Sequence, residues 1–323
     1  MKILNMGFAD SAGAAFTLSH ALNKQGHQAI NIKANDDYLN YPTIASIRNY
    51  DRAATRRMVQ KADVLVFHSL VQPLMQALGL TPEDFEGKKK LLYFHGSDAR
   101  KFGSQIIERV DKIWGDYQVL VSTPDLLSIM PDAEWLPCAR SFKEISSKYG
   151  LSKLDQKALD SFKEPFPRII MGHAPTNQAI KGTHIFLRVI TKLIENTENA
   201  QYLAIQNQPW DSCLRSMAGM NIFYDQCILG AYGTAAVEAS IFKMPVVCTI
   251  TPDVAEIMER ESGVSQPFIQ FETEEQLEHI SLKLLETPSL RKRFGKGCYE
   301  YCKAMHDEKP VADRFLNIVS GMP

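Results

Sequence analysis

Short apolar runs alternate along the chain with stretches of helical periodicity. In the first half the runs predict strands at 2–6, 28–33, 63–67, 91–94 and 118–122. Between the first two, Ala14, Ala15, Leu18, Ala21 and Leu22 recur at helical spacing, and Gly26 ends that helix. Residues 151–167 are polar and finish in Pro165-Phe166-Pro167, which reads as an interdomain linker. The alternation then restarts, with strands predicted at 168–172, 201–205, 220–224, 245–249 and 267–271 and helices at 183–196, 234–243 and 273–286. Ile185, Phe186, Val189, Ile190, Leu193 and Ile194 form an apolar stripe on the first of these helices. The stretch 288–320 reads as helical, with an interruption near Pro310. Strand–helix alternation implies parallel sheets covered on both faces. The expected class is therefore α/β, with two Rossmann-like doubly wound halves, 1–160 and 161–305, facing a central cleft. In such sheets ligands bind beyond the carboxyl ends of the strands, so strand-end motifs carry the chemistry.

Composition narrows the function classes. The 323 residues are enough for two cores, and 45% hydrophobic with 23% charged content is that of a soluble globular protein. A formal net charge of −1 gives no footprint for nucleic acid. The six cysteines are irregularly spaced, which suits reduced thiols and a cytoplasmic location better than a disulfide framework. The chain opens directly on a strand, and no apolar run approaches the ~20 residues that span a bilayer. Asp36-Asp37 lies in a polar loop and reads as solvated, so no metal site is expected.

The richest segment runs from Asp225 to Ser240, followed by Pro245-Val246-Val247: a strand end, a turn containing Gly230 and Gly233, a helix opening, and a buried strand. Free N–H groups and the positive end of the dipole at such a helix favour a phosphate, and Glu238 in the early turns is placed to accept from a vicinal diol. Phosphate plus diol means a nucleotide or nucleotide-sugar. Three more strand ends qualify. Gly7-Phe8-Ala9-Asp10-Ser11-Ala12-Gly13-Ala14-Ala15 is a small-residue turn that fits either a ligand or close helix–strand packing. His95-Gly96-Ser97-Asp98-Ala99-Arg100, read as a loop, gathers the donors and acceptors that a polyhydroxylated ligand needs, or else carries a surface Asp–Arg pair. His173 to Thr183 places Lys181 before a glycine and a helix start, where an ammonium meets a diphosphate or, alternatively, is solvated beside a Thr183 N-cap.

Lys181-Gly182-Thr183 after the first strand of the second half, and Gly230-x-x-Gly233-x4-Glu238-Ala239 before a Pro-Val-Val strand, resemble the GT-B glycosyltransferases. The resemblance is to the large family that includes glycogen synthase and bacterial wall- and capsule-sugar transferases, family four in the usual classification. It takes in the Ala9 to Ala15 turn, the His95 to Arg100 segment, Ser122-Thr123-Pro124-Asp125-Leu126 and Glu134-Trp135-Leu136-Pro137. It implies that Glu238 grips the nucleotide ribose and that Gly230, Ala231, Tyr232, Gly233 and Thr234 meet the donor's sugar and phosphates through backbone amides. Lys181 would neutralise the diphosphate leaving group. His95 would approach the transferred sugar, with Gly13, Gly96, Ser97, Asp98 and Arg100 on the acceptor side. It further implies that 306–323 is a closing helix that packs back on the first domain, that the donor is a UDP- or GDP-linked sugar, that the anomeric configuration is retained, and that no cofactor or obligatory metal takes part. The acceptor would be a glycan, lipid-linked or small-molecule hydroxyl.

Two positions depart from the family pattern. Gly230 stands where the family has a glutamate that contacts the transferred sugar, and Asp225 and Gln226 are the candidates to replace it. Thr176 stands where the family has an arginine, with His173 or Arg100 as candidate substitutes. These losses keep a nucleotide-sugar epimerase and a non-catalytic sugar-binding subunit as competing readings. A basic stripe of Arg48, Arg52 and Arg56 on a helix over 44–60, with Lys88-Lys89-Lys90, fits a solvated face or a peripheral contact with anionic lipid at the inner membrane face.

Overall fold

A computed structural model describes residues 1–35, 39–43, 45–46, 52–69, 71–150 and 168–323. The expected linker 151–167, Asp36-Asp37 and Arg48 lie outside the described residues. The chain divides into two compact units, Met1–Ser141 with His306–Pro323, and Phe142–Met305.

The first unit is built on β1 (Lys2–Gly7), β2 (Gln28–Lys33), β3 (Ala45–Ser46), β4 (Val64–His68), β5 (Lys89–Phe94), β6 (Gln118–Val121) and β7 (Glu134–Trp135). They form one sheet in the order β3-β2-β1-β4-β5-β6-β7, with every pairing parallel. The reversal of strand order beside β1 is the switch point of a doubly wound sheet. Helices α1 (Ala14–Lys24), α2 (Arg52–Lys61), α3 (Val71–Leu78) and α4 (Gly96–Asp111) connect the strands. All five residues of β4 are buried, and the apolar run Val64 to Phe67 ahead of His68 is that of a strand covered on both faces.

In the second unit β8 (Ile169–His173), β9 (Ala200–Ala204), β10 (Ile222–Tyr224) and β11 (Val246–Val247) pair in parallel in the order β11-β10-β8-β9. The strand expected at 267–271 is reduced to a single bridge from Ile269 to Val247. The helices of this unit are α5 (Phe142–Tyr149), α6 (Gln178–Lys181), α7 (Thr183–Asn196), α8 (Trp210–Met217), α9 (Thr234–Ile241), α10 (Pro252–Ser262) and α11 (Glu274–Glu286), followed by α12 (Pro288–His306). α5 precedes the expected linker yet belongs here, because Lys148 and Tyr149 at its end both bond Asp211 of α8. The stripe predicted on α7 buries Phe186, Val189, Ile190 and Leu193 against Met171, Tyr224 and Phe271.

The last helix, α13 (Glu308–Gly321), rejoins the first unit. Val311, Ala312, Phe315, Ile318 and Val319 share a core with Leu18, Ala21 and Leu22 of α1. The interruption expected near Pro310 falls at Asp307. Asp307 is the N-cap and accepts from the Glu308 amide at 3.1 Å, and Pro310 sits in the first turn, where an amide hydrogen has no helical partner to lose.

Candidate functional site

In the second unit the register Tyr224↔His173 sets the ends of β8 and β10 side by side. Beyond β8, Asn177 caps α6 by accepting from the Ile180 amide at 3.1 Å, and Lys181 is the last residue of that helix. Gly182, at φ 71°, turns α6 into α7, and a side chain there would come within 2.2 Å of Cys227 Sγ. Beyond β10, the Asp225 carboxylate is buried and has two partners. Lys181 Nζ lies 2.9 Å from its Oδ1, and the Gly233 amide donates to Oδ2 at 2.6 Å. A Cβ on Gly233 would stand 2.5 Å from Lys181 Nζ, so the glycine is what admits the ion pair.

Gly233 is also the N-cap of α9, and no side chain caps that helix. Its opening residues Thr234 and Ala235 are half-buried, so the first-turn amides and the positive dipole end are offered to an anion. Glu238 follows one turn on, about 6 Å along the axis. It is buried, and its Oε1 accepts from Trp210 Nε1 of α8 at 2.8 Å. Trp210 carried no signal in the sequence, because only the packing of α8 brings it to Glu238.

The loop between them is held by Gln226. Its Nε2 donates to the carbonyls of Ala231 and Thr249, and its Oε1 accepts from the amides of Ile228 (3.1 Å) and Leu229 (2.8 Å). That uses the whole amide, so Gln226 builds the loop and has nothing left for a sugar. Ala231 and Tyr232 are buried too, Tyr232 against Phe268 with ring centroids 4.8 Å apart. Gly230 has φ 71°, and a Cβ there would lie 2.5 Å from Thr251 Cγ2. The position therefore requires glycine in this loop.

His173 is fully buried, with Nδ1 2.7 Å from the Tyr224 carbonyl and Nε2 2.8 Å from Thr183 Oγ1. Burial holds the ring below the usual histidine range, so neutral His173 donates through Nδ1 and accepts the Thr183 hydroxyl. Both nitrogens are spent on joining β8, β10 and α7. His173 thus cannot replace the arginine missing at the exposed Thr176, and Thr183 serves the imidazole rather than capping α7, whose N-cap is Gly182.

In the first unit the turn after β1 satisfies itself. Asp10 accepts from the amides of Ala15 (2.8 Å) and Phe16 (3.0 Å), filling the N-terminus of α1 with its own carboxylate. Burial pushes that carboxyl up to about 6, against the pull of these two amides and of Arg140. Ala12 and Gly13 are both left-handed (φ 55° and 66°), and the fully buried Arg140 donates to the Ala12 carbonyl at 2.6 Å. A Cβ on Gly13 would enter the Tyr41 ring. This is close packing, the second of the two readings of the turn.

The segment after β5 is not a loop. His95 is the N-cap of α4, and Gly96 to Arg100 are helical; of Ser97 and Asp98 only the backbone is described. Arg100 is paired to Asp125 through Nε (2.8 Å) and Nη2 (2.7 Å), which removes it as a substitute for the missing arginine. His95 is buried beside His68, their rings 18° apart and His95 Nε2 2.8 Å from His68 Nδ1.

The expected basic surface also resolves differently. Residues 45–46 are extended and α2 begins at Arg52, whose side chain is not described, so 44–60 is not one helix face. Arg56 pairs with Asp84 at 2.9 Å. Lys88 Nζ bonds the Gln60 and Ala62 carbonyls at the end of α2, and Lys89 Nζ bonds Val319 and Met322 at the end of α13. These ammonium groups close helix C-termini. Among the described residues, no helix is long and apolar enough to cross a membrane. A surface cavity of about 1080 Å³ at the amino ends of β5, β6 and β7 is lined by these Lys88 and Lys89 side chains with Lys90, Glu108, Glu134 and Arg314, and touches none of the strand-end groups after β1, β4 and β5.

No protein-family model and no curated protein sequence matches the chain. Solved structures do. The HepE protein of Anabaena in complex with UDP and glucose is similar over 100% of both chains, with a TM-score of 0.68 at 12% identity. A glycosyltransferase of Rickettsia africae is similar over 99% of this chain and 98% of its own, with a TM-score of 0.64 at 10% identity. The UDP-forming α,α-trehalose-phosphate synthase of Burkholderia vietnamiensis is similar over 100% of both chains, with a TM-score of 0.61 at 10% identity. At such identities the likeness shows the fold, which is that of the GT-B glycosyltransferases.

Proposed function

We propose that the chain is a glycosyltransferase that moves a sugar from a nucleotide-diphosphate sugar to an acceptor hydroxyl. The observation that carries this reading is the node of Lys181, Asp225 and Gly233 at the uncapped start of α9, with Glu238 one turn further along the same helix. The diphosphate takes the free amides of α9 and the remaining N–H donors of Lys181. The ribose hydroxyls donate to Glu238, which Trp210 holds in place. As the diphosphate leaves, its growing charge meets a preorganised ammonium and helix dipole, so no metal is called for. HepE was solved with UDP and glucose, which favours a UDP-linked donor. The first unit supplies the acceptor side. Retention of configuration follows from the family resemblance.

Calorimetric titration with UDP and with GDP tests the nucleotide site. Saturable binding of one of them is expected, weakened about 10–100-fold in Glu238→Gln, since a charge-assisted hydrogen bond contributes about 1.5–3 kcal/mol. If neither nucleotide binds, the reading fails and a non-catalytic subunit is favoured. Product analysis with UDP-sugars in the presence of EDTA then separates transfer, which releases UDP, from epimerisation, and turnover restored only by added Mg²⁺ rejects the metal-free mechanism.

A further inference from the structure

A line of polar side chains runs under the switch point of the first sheet. Asn5 of β1, His68 at the end of β4 and His95 beyond β5 occupy neighbouring strands, and Ser19 reaches them from α1. Asn5 and Ser19 are 0% and 1% exposed, and His68 is 3% exposed. Asn5 Nδ2 donates to Ser19 Oγ at 2.9 Å. That turns Asn5 Oδ1 toward His68 Nε2, 3.2 Å away.

The amide orientation sets the parity of everything beyond it. A carbonyl oxygen accepts, so His68 Nε2 carries hydrogen. Burial holds both imidazoles below the ordinary histidine range, His95 down to about 3. Neutral His68 then has a bare Nδ1, which accepts from His95 Nε2–H at 2.8 Å. His95 keeps one bare nitrogen, Nδ1. That atom is buried and has no hydrogen-bond partner, although His95 is the N-cap of α4 and its ring bonds no amide of that helix. A buried acceptor left unmatched is costly, and a fold retains one where a ligand completes the bond.

A second orphan lies at the end of the adjoining strand. Ser69 follows His68 at φ 63°, a strained conformation for a residue with a side chain, and its Oγ is also buried without a partner. Its amide is bonded to the Tyr93 carbonyl, which fixes it at the adjoining strand end. Two unmatched polar atoms thus stand at the carboxyl ends of neighbouring strands, where a doubly wound sheet takes its ligand. His95 as a residue is 8% exposed, while the open nitrogen itself is covered.

We infer that Asn5 and His68 are positioning residues that hold His95 as its Nε2–H tautomer, so that Nδ1 offers a lone pair to a hydroxyl of a ligand at the carboxyl ends of the first sheet. The inference deepens the transferase reading, and it is tested without relying on it.

Long-range ¹H–¹⁵N spectra of the nucleotide-free full chain, with His95 assigned from His95→Gln, report which nitrogen bears hydrogen. The expected spectrum has Nε2 protonated and Nδ1 bare, and this preference is lost in Asn5→Leu and in His68→Phe. His68→Phe keeps the buried ring if Asn5→Leu does not fold. A wild-type spectrum with Nδ1 protonated, or a preference unchanged in the folded variants, overturns the inference whatever nucleotides bind. With UDP-glucose as probe, His68→Phe is expected to lower kcat of donor hydrolysis at least tenfold while UDP affinity stays within twofold of wild type. Equal kcat in wild type and variant also overturns it. Absence of UDP-glucose binding in the wild type overturns the transferase reading instead, and the tautomer result still decides the relay.

Discussion

Gly230 shows how one backbone angle decides what a residue means. In the sequence it reads as a lost carboxylate. In the fold it is a left-handed turn whose carbonyl accepts from the Thr251 amide at 2.9 Å, with Thr251 where a side chain would go. Gly230→Glu is therefore expected to destabilise the second unit by about 1–3 kcal/mol and to leave turnover unimproved. Thermal unfolding with a donor-hydrolysis assay checks both; an unchanged Tm means that the loop relaxes into another conformation. Lys181 and Glu238 could be nominated from the sequence because each stands at a fixed spacing from a glycine and a helix start. Trp210, Asn5, His68, Asp10 and Arg140 were not, because each acquires its partner only through strand register or helix packing across distant sequence. His173 and Arg100 were visible but misassigned, since spacing cannot tell a free donor from one whose partners lie elsewhere in the chain.

At the scale of elements, apolar periodicity placed nine of the eleven described strands, β2 with its bounds and the other eight shifted, extended or shortened by one to three residues, and missed the two-residue strands β3 and β7. It failed where the pattern is short or mixed: α4 was read as a loop because glycine, serine and aspartate crowd its first turn, and those are residues that favour turns. The lysines 88–90 illustrate a related loss. A run of ammonium groups looks like surface charge until the neighbouring helix ends are known. Lys89→Met keeps the apolar stem and removes both bonds to the end of α13, so a loss of about 1 kcal/mol is expected in urea unfolding. An unchanged midpoint returns Lys89 to the class of solvated surface lysines.

The whole molecule carries its buried imidazoles unevenly. His68, His95 and His306 lie in the first unit, and burial holds all three below the usual 6.5, His95 to about 3 and His306 to about 4. The second unit has His173. A group depressed on folding stabilises above its unfolded value and loses that contribution as pH falls toward the folded one. Acidification from pH 6.5 to 5 therefore costs about 2 kcal/mol for each of His95 and His306. Asp10 has the opposite sign: its raised carboxyl, at about 6, gains stability as pH falls from 6 toward 3.8, a partial offset. Calorimetry at pH 7, 6 and 5 is expected to show the first unit's transition falling faster than the second's; parallel transitions would mean that these imidazoles titrate normally.

The return of α13 to the first unit has a temporal consequence. The core that Leu18, Ala21 and Leu22 begin is completed by Phe315 and Val319, so the unit that leaves the ribosome first cannot close until residues near 320 have followed. The inner unit, continuous in sequence, can finish while the outer one still waits with a bare apolar face on α1. Vectorial synthesis usually lets the leading domain fold first. Here the order inverts, and the nascent chain's exposure to chaperones is set by the time taken to translate the entire second unit.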